Sequence, residues 1–388
     1  MNTAQFEKLV LGTLNAEIDW AALEGFLAPC SFTDLVLTAQ NPAFHGEGDV
    51  LTHTRMVCGE LVKMKRFQKL PQRQKAELFL ASVLHDIGKA KTTRMENGVW
   101  ISPHHSSVGS QIVRELLWRE FGLCGTPEAM SFRETVCALV RFHMLPMHLF
   151  DQEEPERKVR QVASVGEVAT DFNWEMLCLL AEADVRGRIA DDMDDCLTQV
   201  HLSGLLAEEA GCFSQSYRFR DVFAKHAYLS GRNVQPDQIL YDDTWGEVIL
   251  LSALPGTGKD TWIRRNLPVL PVISLDDIRQ ELGADATGNQ ASVIHAAQDL
   301  AREYMRKKQP FIWNATNITR EIRQEQIILF KRYGASVKLI WLETPWVTEL
   351  ARNAARKASL PLEAIEELLK KTVPPMPDEA RCVEWYCV

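Results

Sequence analysis

The sequence predicts a multidomain protein in which an all-α domain is followed by an α/β domain with a parallel sheet flanked by helices. Three observations support this fold class. From Met1 to about Asp221, apolar residues recur at helical spacing with few β-branched alternations. An apolar run at Glu247–Ser252 then leads straight into a turn rich in glycine and lysine. Beyond it, short strand-like runs alternate with helical runs, the order that builds a parallel sheet.

Length and composition are those of a two-domain globular protein. The 388 residues are 46% hydrophobic and 24% charged, and each half is long enough to bury a core. No apolar run approaches the ~18 residues that a membrane span needs, and the first residues lack the features of a signal peptide. Nine cysteines without metal-binding spacing indicate free thiols in a reducing cytoplasm, and a disulfide between Cys382 and Cys387 is disfavoured.

The net charge of −9 is concentrated in the first part of the chain. Residues 1–244 carry 24 basic and 34 acidic side chains, against 19 and 18 in the remainder. A protein that coats long nucleic acid should be basic, so the charge argues against non-specific binding of this kind. Binding of a short nucleic-acid strand end by a few arginines is compatible with this net charge.

Histidines and aspartates are scattered along the helical half, each at or near a helical segment. The most informative pair is His85 and Asp86, which follow four apolar helical residues and precede the helix-breaking Gly88. An imidazole beside a carboxylate is a good start for a divalent metal site, because the carboxylate can bridge two ions. A single histidine would more often be structural, but an ordered set favours metal binding. Five segments carry this set: Gly48–Thr54, Ala81–Lys89, Pro103–Gly109, Arg141–Met144 and Ala181–Arg188.

These segments resemble the HD superfamily of metal-dependent phosphohydrolases, and they look closest to the HD domains appended to tRNA nucleotidyltransferases. The metal ligands that the resemblance implies are His53, His85, Asp86 and Asp184 for one ion, and His105 and His143, with Asp86 shared, for the second. His104 is an alternative to His105 as the metal ligand. The spacing between His105 and Gly109 favours His105.

Two divalent ions would generate hydroxide near neutral pH and clamp a phosphoryl group, which is phosphoester hydrolysis. The resemblance implies transition metals such as Mn²⁺, Ni²⁺ or Co²⁺, with Asp86 as the catalytic residue. Lys89, Arg186 and Arg188 are candidates for contacts with phosphate oxygens, although structural ion pairs explain them equally well.

A connector between about Arg218 and Thr244 mixes aromatic residues with Gly231 and Pro236, which suits a packed segment. We place the boundary near Leu240, which gives a first domain of residues 1–240, including the connector, and a second of residues 241–388.

The turn after the first strand of the second domain is similar to a P-loop. Glycines there allow backbone N–H groups to surround a phosphate, and the next helix points its positive end at it. Against the template GxxxxGK[ST], Gly258 and Lys259 match, Ala253 replaces the first glycine, and Asp260 replaces the Ser/Thr. We expect Asp260 to take part in the Mg²⁺ shell. The predicted nucleotide-binding residues are Pro255, Gly256, Thr257, Gly258, Lys259, Asp260 and Thr261.

Further strands are predicted at Pro271–Ser274, Phe311–Asn314 and Val337–Leu342. Helical runs alternate with them at Gln290–Lys308, Arg320–Arg332, Trp346–Lys357 and Glu363–Lys371. The segment Ser274–Arg279 follows the second strand, at the same sheet edge as the P-loop. It is typical of a helix N-cap, but a carboxylate at this edge can also accept a proton from an attacking hydroxyl.

Together with Asn314–Asn317 and Arg352–Arg356, these segments resemble the P-loop polynucleotide 5′-kinase family of phage and end-repair enzymes. The resemblance implies that Asp276 is the general base and that Arg279 grips the acceptor's phosphate. It also implies that Lys259, Arg352 and Arg356 act on the ATP phosphates; the two arginines, four residues apart, are predicted to share a helix face. Arg320 and Arg323 are weaker candidates for acceptor contacts. Asn314 stands where an Asp often precedes the Thr-Asn pair, so the role of that loop is open.

A phosphohydrolase preceding a polynucleotide-kinase-like domain resembles the bacterial HD-Pnk end-healing enzymes. The resemblance implies ATP- and Mg²⁺-dependent phosphorylation of 5′-OH ends, and hydrolysis of 2′,3′-cyclic phosphate and 2′-phosphate at RNA 3′ ends. The partners implied are RNA or DNA strand ends, ATP or another NTP, and a ligase acting downstream; a homodimer is compatible with it.

Two other functions are compatible with the residues. One is a nucleotidase fused to a small-molecule or nucleoside kinase, which the acidic first half mildly favours. The other is a nucleotide-binding regulator whose first domain senses a ligand without turnover, against which the complete set of metal ligands counts.

Overall fold

The computed structural model describes residues 1–14, 17–284, 290–356 and 359–388. These residues form two compact units, Met1–Tyr217 and Arg218–Val388. The connector, assigned above to the first domain, therefore belongs to the second unit. Within that unit the guanidinium of Arg381 lies 3.6 Å from the ring centroid of Phe223, and Lys331 contacts the ring of His226.

The first unit is helical. Its α-helices in the described residues are α1 (Thr3–Gly12), α2 (Trp20–Leu27), α3 (Val50–Lys63), α4 (Lys65–Lys69), α5 (Gln72–Leu84), α6 (Lys89–Thr92), α7 (His105–Glu115), α8 (Pro127–Phe142), α9 (Pro155–Ala163), α10 (Trp174–Arg186) and α11 (Met193–Glu209). Short 3₁₀ turns lie at Ala28–Cys30, Phe32–Leu37, Leu145–Met147, Leu149–Asp151 and Ser164–Glu167, and a π turn at Leu116–Glu120.

One small hairpin adds to the predicted all-α architecture. Strands β1 (Arg94–Glu96) and β2 (Val99–Ile101) pair antiparallel around Asn97 and Gly98, both with positive φ. An Asn-Gly pair in this conformation is the favoured two-residue hairpin turn.

Two central helices organise the core of the first unit. Residues 76–84 of α5 and residues 129–140 of α8 are all buried. Because these helices are enclosed on every side, the residues that follow their last turns, His85 and His143, are also buried. The core therefore carries these two side chains to fixed positions.

The second unit is an α/β domain, as predicted. Its helices are α12 (Val222–Leu229), α13 (Lys259–Asn266), α14 (Leu275–Glu281), α15 (Ala291–Arg306), α16 (Arg320–Arg332), α17 (Trp346–Ala354) and α18 (Leu362–Lys371). Its strands are β3 (Glu247–Ser252), β4 (Val272–Ser274), β5 (Phe311–Asn314), β6 (Ser336–Glu343) and β7 (Cys382–Cys387). Lys357, the last residue of one predicted helix, lies outside the described residues.

The five strands form one parallel sheet in the order β4-β5-β3-β6-β7. The apolar strand β3 lies at its centre, with Val248 opposite Phe311 of β5 and Val337 of β6. The carboxyl ends of all strands thus meet at one edge, where the turn after β3 lies.

Strand β7 was not predicted. Cys382 and Cys387 are its two ends, and both are free thiols. Five residues along an extended strand separate them by roughly 16 Å, far beyond disulfide reach. None of the described helices has the length and apolar character that a membrane span requires.

Candidate functional site

Histidine and aspartate side chains from five helices converge inside the first unit. His85 directly follows α5, His143 directly follows α8, and His105 is the first residue of α7. His53 lies within α3, and Asp184 lies in the last turn of α10. Asp86 is buried among them.

Helix ends and turns fix how the imidazoles are oriented. Nδ1 of His85, of His105 and of His143 each lies 2.8 Å from the carbonyl oxygen three residues earlier. For His85 and His143 that carbonyl belongs to the last helical turn, which lacks an intrahelical partner. A carbonyl only accepts, so each Nδ1 donates and each Nε2 presents its lone pair, as in metal-binding histidines.

The lone pairs meet in two groups that share Asp86. His53, His85 and Asp86 offer ligand atoms within 4.8 Å of one another, and so do Asp86, His105 and His143. The Nε2 atoms are 3.3 Å apart between His53 and His85, and 3.4 Å apart between His105 and His143. Asp184 Oδ1 lies 3.1 Å from His53 Nε2. Nε2 of His105 and Nε2 of His143 face each other without a proton and repel unless a cation lies between them. With Asp86 common to both groups, the arrangement fits two divalent ions.

The carboxylate of Asp86 supports this fit. Its Oδ1 is buried and has no hydrogen-bond partner among the described residues, although His105 Nε2 lies 3.3 Å away. An orphaned buried acceptor of this kind suits a bound cation. Burial opposes ionisation, but Lys89 and His85 hold the pKa of Asp86 well below its usual range.

The histidines differ in how readily they carry a proton. Burial, with the neighbouring His85, lowers the pKa of His143 to about 3. For His53, burial also acts to lower the pKa, but hydrogen bonds to Asp184 and Glu47 outweigh it and raise the pKa to about 9. A metal ion must therefore displace a proton at His53 but not at His143.

Two glycines of the predicted segments allow close backbone approaches that assemble the cluster. A Cβ on Gly88 would lie 2.1 Å from the carbonyl oxygen of His105, so only glycine lets α7 approach Asp86. A Cβ on Gly187 would lie 2.5 Å from the backbone nitrogen of Val57 in α3, beside His53. These contacts explain why glycine occupies these positions in the motifs.

Three side chains near the cluster were missed by the sequence analysis. Glu47 Oε1 lies 3.0 Å from His53 Nδ1 and 2.8 Å from His45 Nδ1. Gln40 accepts a hydrogen bond from Lys89 at 2.8 Å. The sequence signal for Glu47 was its place between His45 and His53, but nothing in the sequence pointed to Gln40.

Other predicted residues of the first unit have different positions. His104 is exposed with a φ of 58°, whereas His105 is buried in the cluster. Lys89 is buried and lies 2.7 Å from Asp86. Arg186 pairs with Glu182, and Arg188 pairs with Asp192. Neither pair includes a cluster residue, so the structure gives these two arginines local ion pairs.

In the second unit, the turn between β3 and α13 has the backbone of a phosphate-binding loop. Gly256 and Gly258 have φ of 89° and 107°. A Cβ on Gly256 would lie 2.9 Å from the carbonyl oxygen of Glu349, so α17 packs closely against the loop. Arg352 of α17 donates to the carbonyl of Thr257 at 2.6 Å.

The predicted base and arginines meet at the same sheet edge. Asp276, in the first turn of α14, pairs with Arg279 and lies 3.6 Å from Arg356 Nη2. Burial lowers the pKa of Lys259, and the charges of Asp276 and Asp260 oppose this shift. Because α17 ends at Ala354, Arg356 lies beyond the helix, and the predicted shared helix face is wrong. Both arginines nevertheless line the cleft described next.

A cleft of ≈ 780 Å³ joins these groups, within the size range of nucleotide and ligand pockets. Nine of the site residues predicted from the sequence line this cleft: Pro255, Gly256, Gly258, Lys259, Asp260, Asp276, Arg279, Arg352 and Arg356. Gln280, Gly283, Ala284, Thr316, Leu360 and Leu368 complete the lining. The set fits ATP, because backbone amides and cations face its phosphates while Asp260 offers a carboxylate to Mg²⁺.

Two threonines assigned to nucleotide binding have other partners. Thr257 is buried and donates its hydroxyl to the carbonyl of Leu254 at 2.7 Å, which stabilises the loop. Thr261 Oγ1 accepts a hydrogen bond from Arg264 on the outside of α13. Neither is among the residues that line the cleft.

Two arginines proposed for acceptor contacts are instead held by the fold. Arg323 is fully buried and makes a bidentate pair with Glu379, with both N–O distances 2.8 Å. Arg320 makes a bidentate pair with Asp378. Neither lines the cleft, and Arg323 also donates to the carbonyls of Asn317 and Val373, so each of its three nitrogens is hydrogen-bonded inside the fold.

Comparison with known families assigns a type to each unit. A family model described as an HD domain matches residues 50–197, and one described as an AAA domain matches residues 248–375. A search of curated proteins found no match to the chain. The chain therefore combines an HD phosphohydrolase-type domain, which implies divalent metal binding, with a P-loop kinase-like domain, which implies a nucleotide substrate and Mg²⁺.

Proposed function

We propose that this chain is a bifunctional nucleic-acid end-healing enzyme. The kinase-like domain phosphorylates 5′-OH ends with ATP, and the HD domain hydrolyses 2′,3′-cyclic phosphate and 2′-phosphate at RNA 3′ ends. The observation that carries the proposal is one cleft in which a phosphate-binding loop faces both a carboxylate, Asp276, and an arginine, Arg279, that can hold an acceptor phosphate. A free nucleoside acceptor has no phosphate for that arginine.

In the kinase reaction, Asp276 accepts the proton of the 5′-hydroxyl as its oxygen attacks the γ-phosphorus. The bond from that phosphorus to the bridging oxygen breaks, and ADP leaves. Arg279 holds the phosphate of the acceptor strand and orients the hydroxyl. Lys259, Arg352 and Arg356 neutralise the charge on the transferred group and on ADP, and Mg²⁺ adds to this neutralisation when bound.

In the hydrolase reaction, the histidines and Asp86 would hold two divalent ions, and these would supply hydroxide at neutral pH and neutralise phosphoryl charge. The backbone carbonyls behind each Nδ1 keep the rings in the neutral, metal-binding tautomer. Lys89, buried beside Asp86, offsets the charge of the shared carboxylate.

The test is an RNA oligonucleotide with a 5′-OH and a 2′,3′-cyclic phosphate, incubated with ATP, Mg²⁺ and one of Mn²⁺, Ni²⁺ or Co²⁺. We expect the 5′ end to gain a phosphate and the 3′ end to lose its cyclic phosphate. A matched DNA oligonucleotide with a 5′-OH distinguishes RNA from DNA preference. Product termini are identified by mass spectrometry.

The acidic first part of the chain favours a second candidate, a nucleotidase fused to a nucleoside or small-molecule kinase. Such an enzyme would act on free substrates and would not need to attract a polymer. Phosphorylation of free nucleosides without transfer to the oligonucleotide would establish this candidate in place of end healing.

A further inference from the structure

A hydrogen bond joins Asp260, which lines the kinase cleft, to Asn314 at the end of the neighbouring strand. Asn314 Nδ2 donates to Asp260 Oδ1 at 2.7 Å. Asp260 is the second residue of α13 and lines the cleft, whereas Asn314 is the last residue of β5 and is 6% exposed. Because β5 pairs directly with β3, the strand end and the loop are neighbours.

The chemistry of this pair is reversed from the usual P-loop arrangement. There, a Ser/Thr hydroxyl follows the loop lysine, and an Asp on a separate segment supplies the carboxylate for Mg²⁺. Here the charged oxygen is on the loop and a neutral amide is on the neighbouring strand. Thr261, one residue further on, does not replace the hydroxyl, because Arg264 donates to it outside the cleft.

We propose that Asp260 is the direct protein ligand of Mg²⁺ in this cleft and that Asn314 positions it. The inference rests on the proposed use of ATP. Asn314 fixes one oxygen of the carboxylate through its N–H, and its own Oδ1 is buried without a hydrogen-bond partner among the described residues. Mg²⁺ retains several waters in protein sites, and a metal-bound water is a donor of the kind this orphaned acceptor lacks.

The substitution Asp260→Asn tests the charge while keeping the shape, because an amide oxygen still accepts from Asn314. ATP affinity of the full chain is measured by calorimetry with Mg²⁺ and with EDTA. We expect Asp260→Asn to reduce at least tenfold the Mg²⁺-dependent gain in affinity, taken as the ratio of the two dissociation constants of the same variant. A role limited to holding the loop would survive this substitution, so an unchanged Mg²⁺ effect would overturn the proposal.

The double variant Asp260→Asn/Asn314→Asp moves the carboxylate to the strand and restores the usual location of the charge. We expect it to recover most of the lost Mg²⁺ effect, and a double variant no better than the single one would refute the assignment. A thermal unfolding transition like that of the unsubstituted protein shows that each variant is folded. Failure of end phosphorylation by the unsubstituted protein, with the Mg²⁺ effect on ATP intact, would count against the proposed function alone.

Discussion

Glu47 Oε1 lies 3.0 Å from Nδ1 of His53, and the carboxylate is 1% exposed. The same oxygen lies 2.8 Å from Nδ1 of His45, while Oε2 accepts the backbone N–H of Ile189 at 2.9 Å. Bonded on three sides, this carboxylate fixes the ring of His53 so that Nε2 faces Asp184 and His85. It is the arrangement in which a carboxylate behind a histidine raises the basicity of a metal ligand.

Glu47→Gln should therefore weaken metal binding without removing a ligand. The amide keeps an acceptor for His53 but loses the charge, and we expect affinity for Mn²⁺ to fall by about 10- to 100-fold. Equilibrium dialysis with elemental analysis gives the affinity directly. Glu24→Gln, which removes a half-buried carboxylate paired with Arg55, is the matched control and should have no effect. Equal affinity in the two variants would show that Glu47 does not act on the metal ligand.

Separate substitutions should divide the two activities. Lys259→Ala or Asp276→Ala should lower transfer to a 5′-OH by about 10²-fold or more while leaving phosphoesterase activity intact, because these residues lie in the kinase cleft. Asp86→Ala should do the reverse, since it removes the carboxylate shared by both metal groups. Both activities are assayed on one preparation of each variant. Equal loss of both in any one variant would contradict separate catalytic sites.

Much of this architecture could be predicted because the informative signals are local. Helical periodicity in the sequence predicted the helical segment α5. Because this helix is buried, the residues directly after it, His85 and Asp86, are held in fixed positions. The apolar strand β3 likewise predicted where the phosphate-binding loop begins. In both cases a short segment contains the element and the functional residue together.

The features that were not predicted depend on contacts between segments far apart in the sequence. The spacing of residues within a motif does not indicate such contacts. Arg323 was named as a weaker candidate for acceptor contacts, yet it is buried and its partner Glu379 lies 56 residues away. The link between Asp260 and Asn314 spans 54 residues. Strand β7, of sequence CVEWYC, lacks a regular alternation of apolar and polar residues and was missed. Its place in the sheet is given by pairing with β6.

Arg323 and Arg320 differ in burial, and we therefore expect their substitutions to affect stability differently. Arg323→Ala leaves Glu379 buried without its bidentate partner, and we expect a loss of about 3–5 kcal/mol in the unfolding free energy of the second unit. Arg320→Ala removes a side chain that is 42% exposed from a carboxylate that is 7% exposed, and it should cost less, about 1–2 kcal/mol. Hydrogen exchange of the β3 and β5 amides measures both. Losses of equal size would show that burial does not distinguish the two pairs.

A buried carboxylate behind the phosphate-binding loop makes the second unit sensitive to pH. Glu349 is fully buried, and neither of its carboxylate oxygens has a hydrogen-bond partner among the described residues. Burial, reinforced by Glu343 and opposed by Lys259, raises the pKa of Glu349 to about 8. The unfolded chain releases this proton near its ordinary pKa of 4.5, and the folded chain only near 8. Ionisation of Glu349 therefore does not affect the free energy of unfolding below about pH 4.5. As the pH rises from there to about 8, it lowers that free energy progressively.

Glu349→Gln removes this ionisation. Relative to the unsubstituted protein, the variant's advantage in the unfolding free energy of the second unit should be small at pH 5 and should grow by about 2–5 kcal/mol by pH 9. Hydrogen exchange of the β3 amides, corrected for intrinsic rates, provides the comparison. Glu363→Gln, at an exposed glutamate in the first turn of α18, should give no such gain. If the difference between Glu349→Gln and the unsubstituted protein were independent of pH, the carboxylate would already be ionised or solvated in the folded state, and its burial would carry no electrostatic cost.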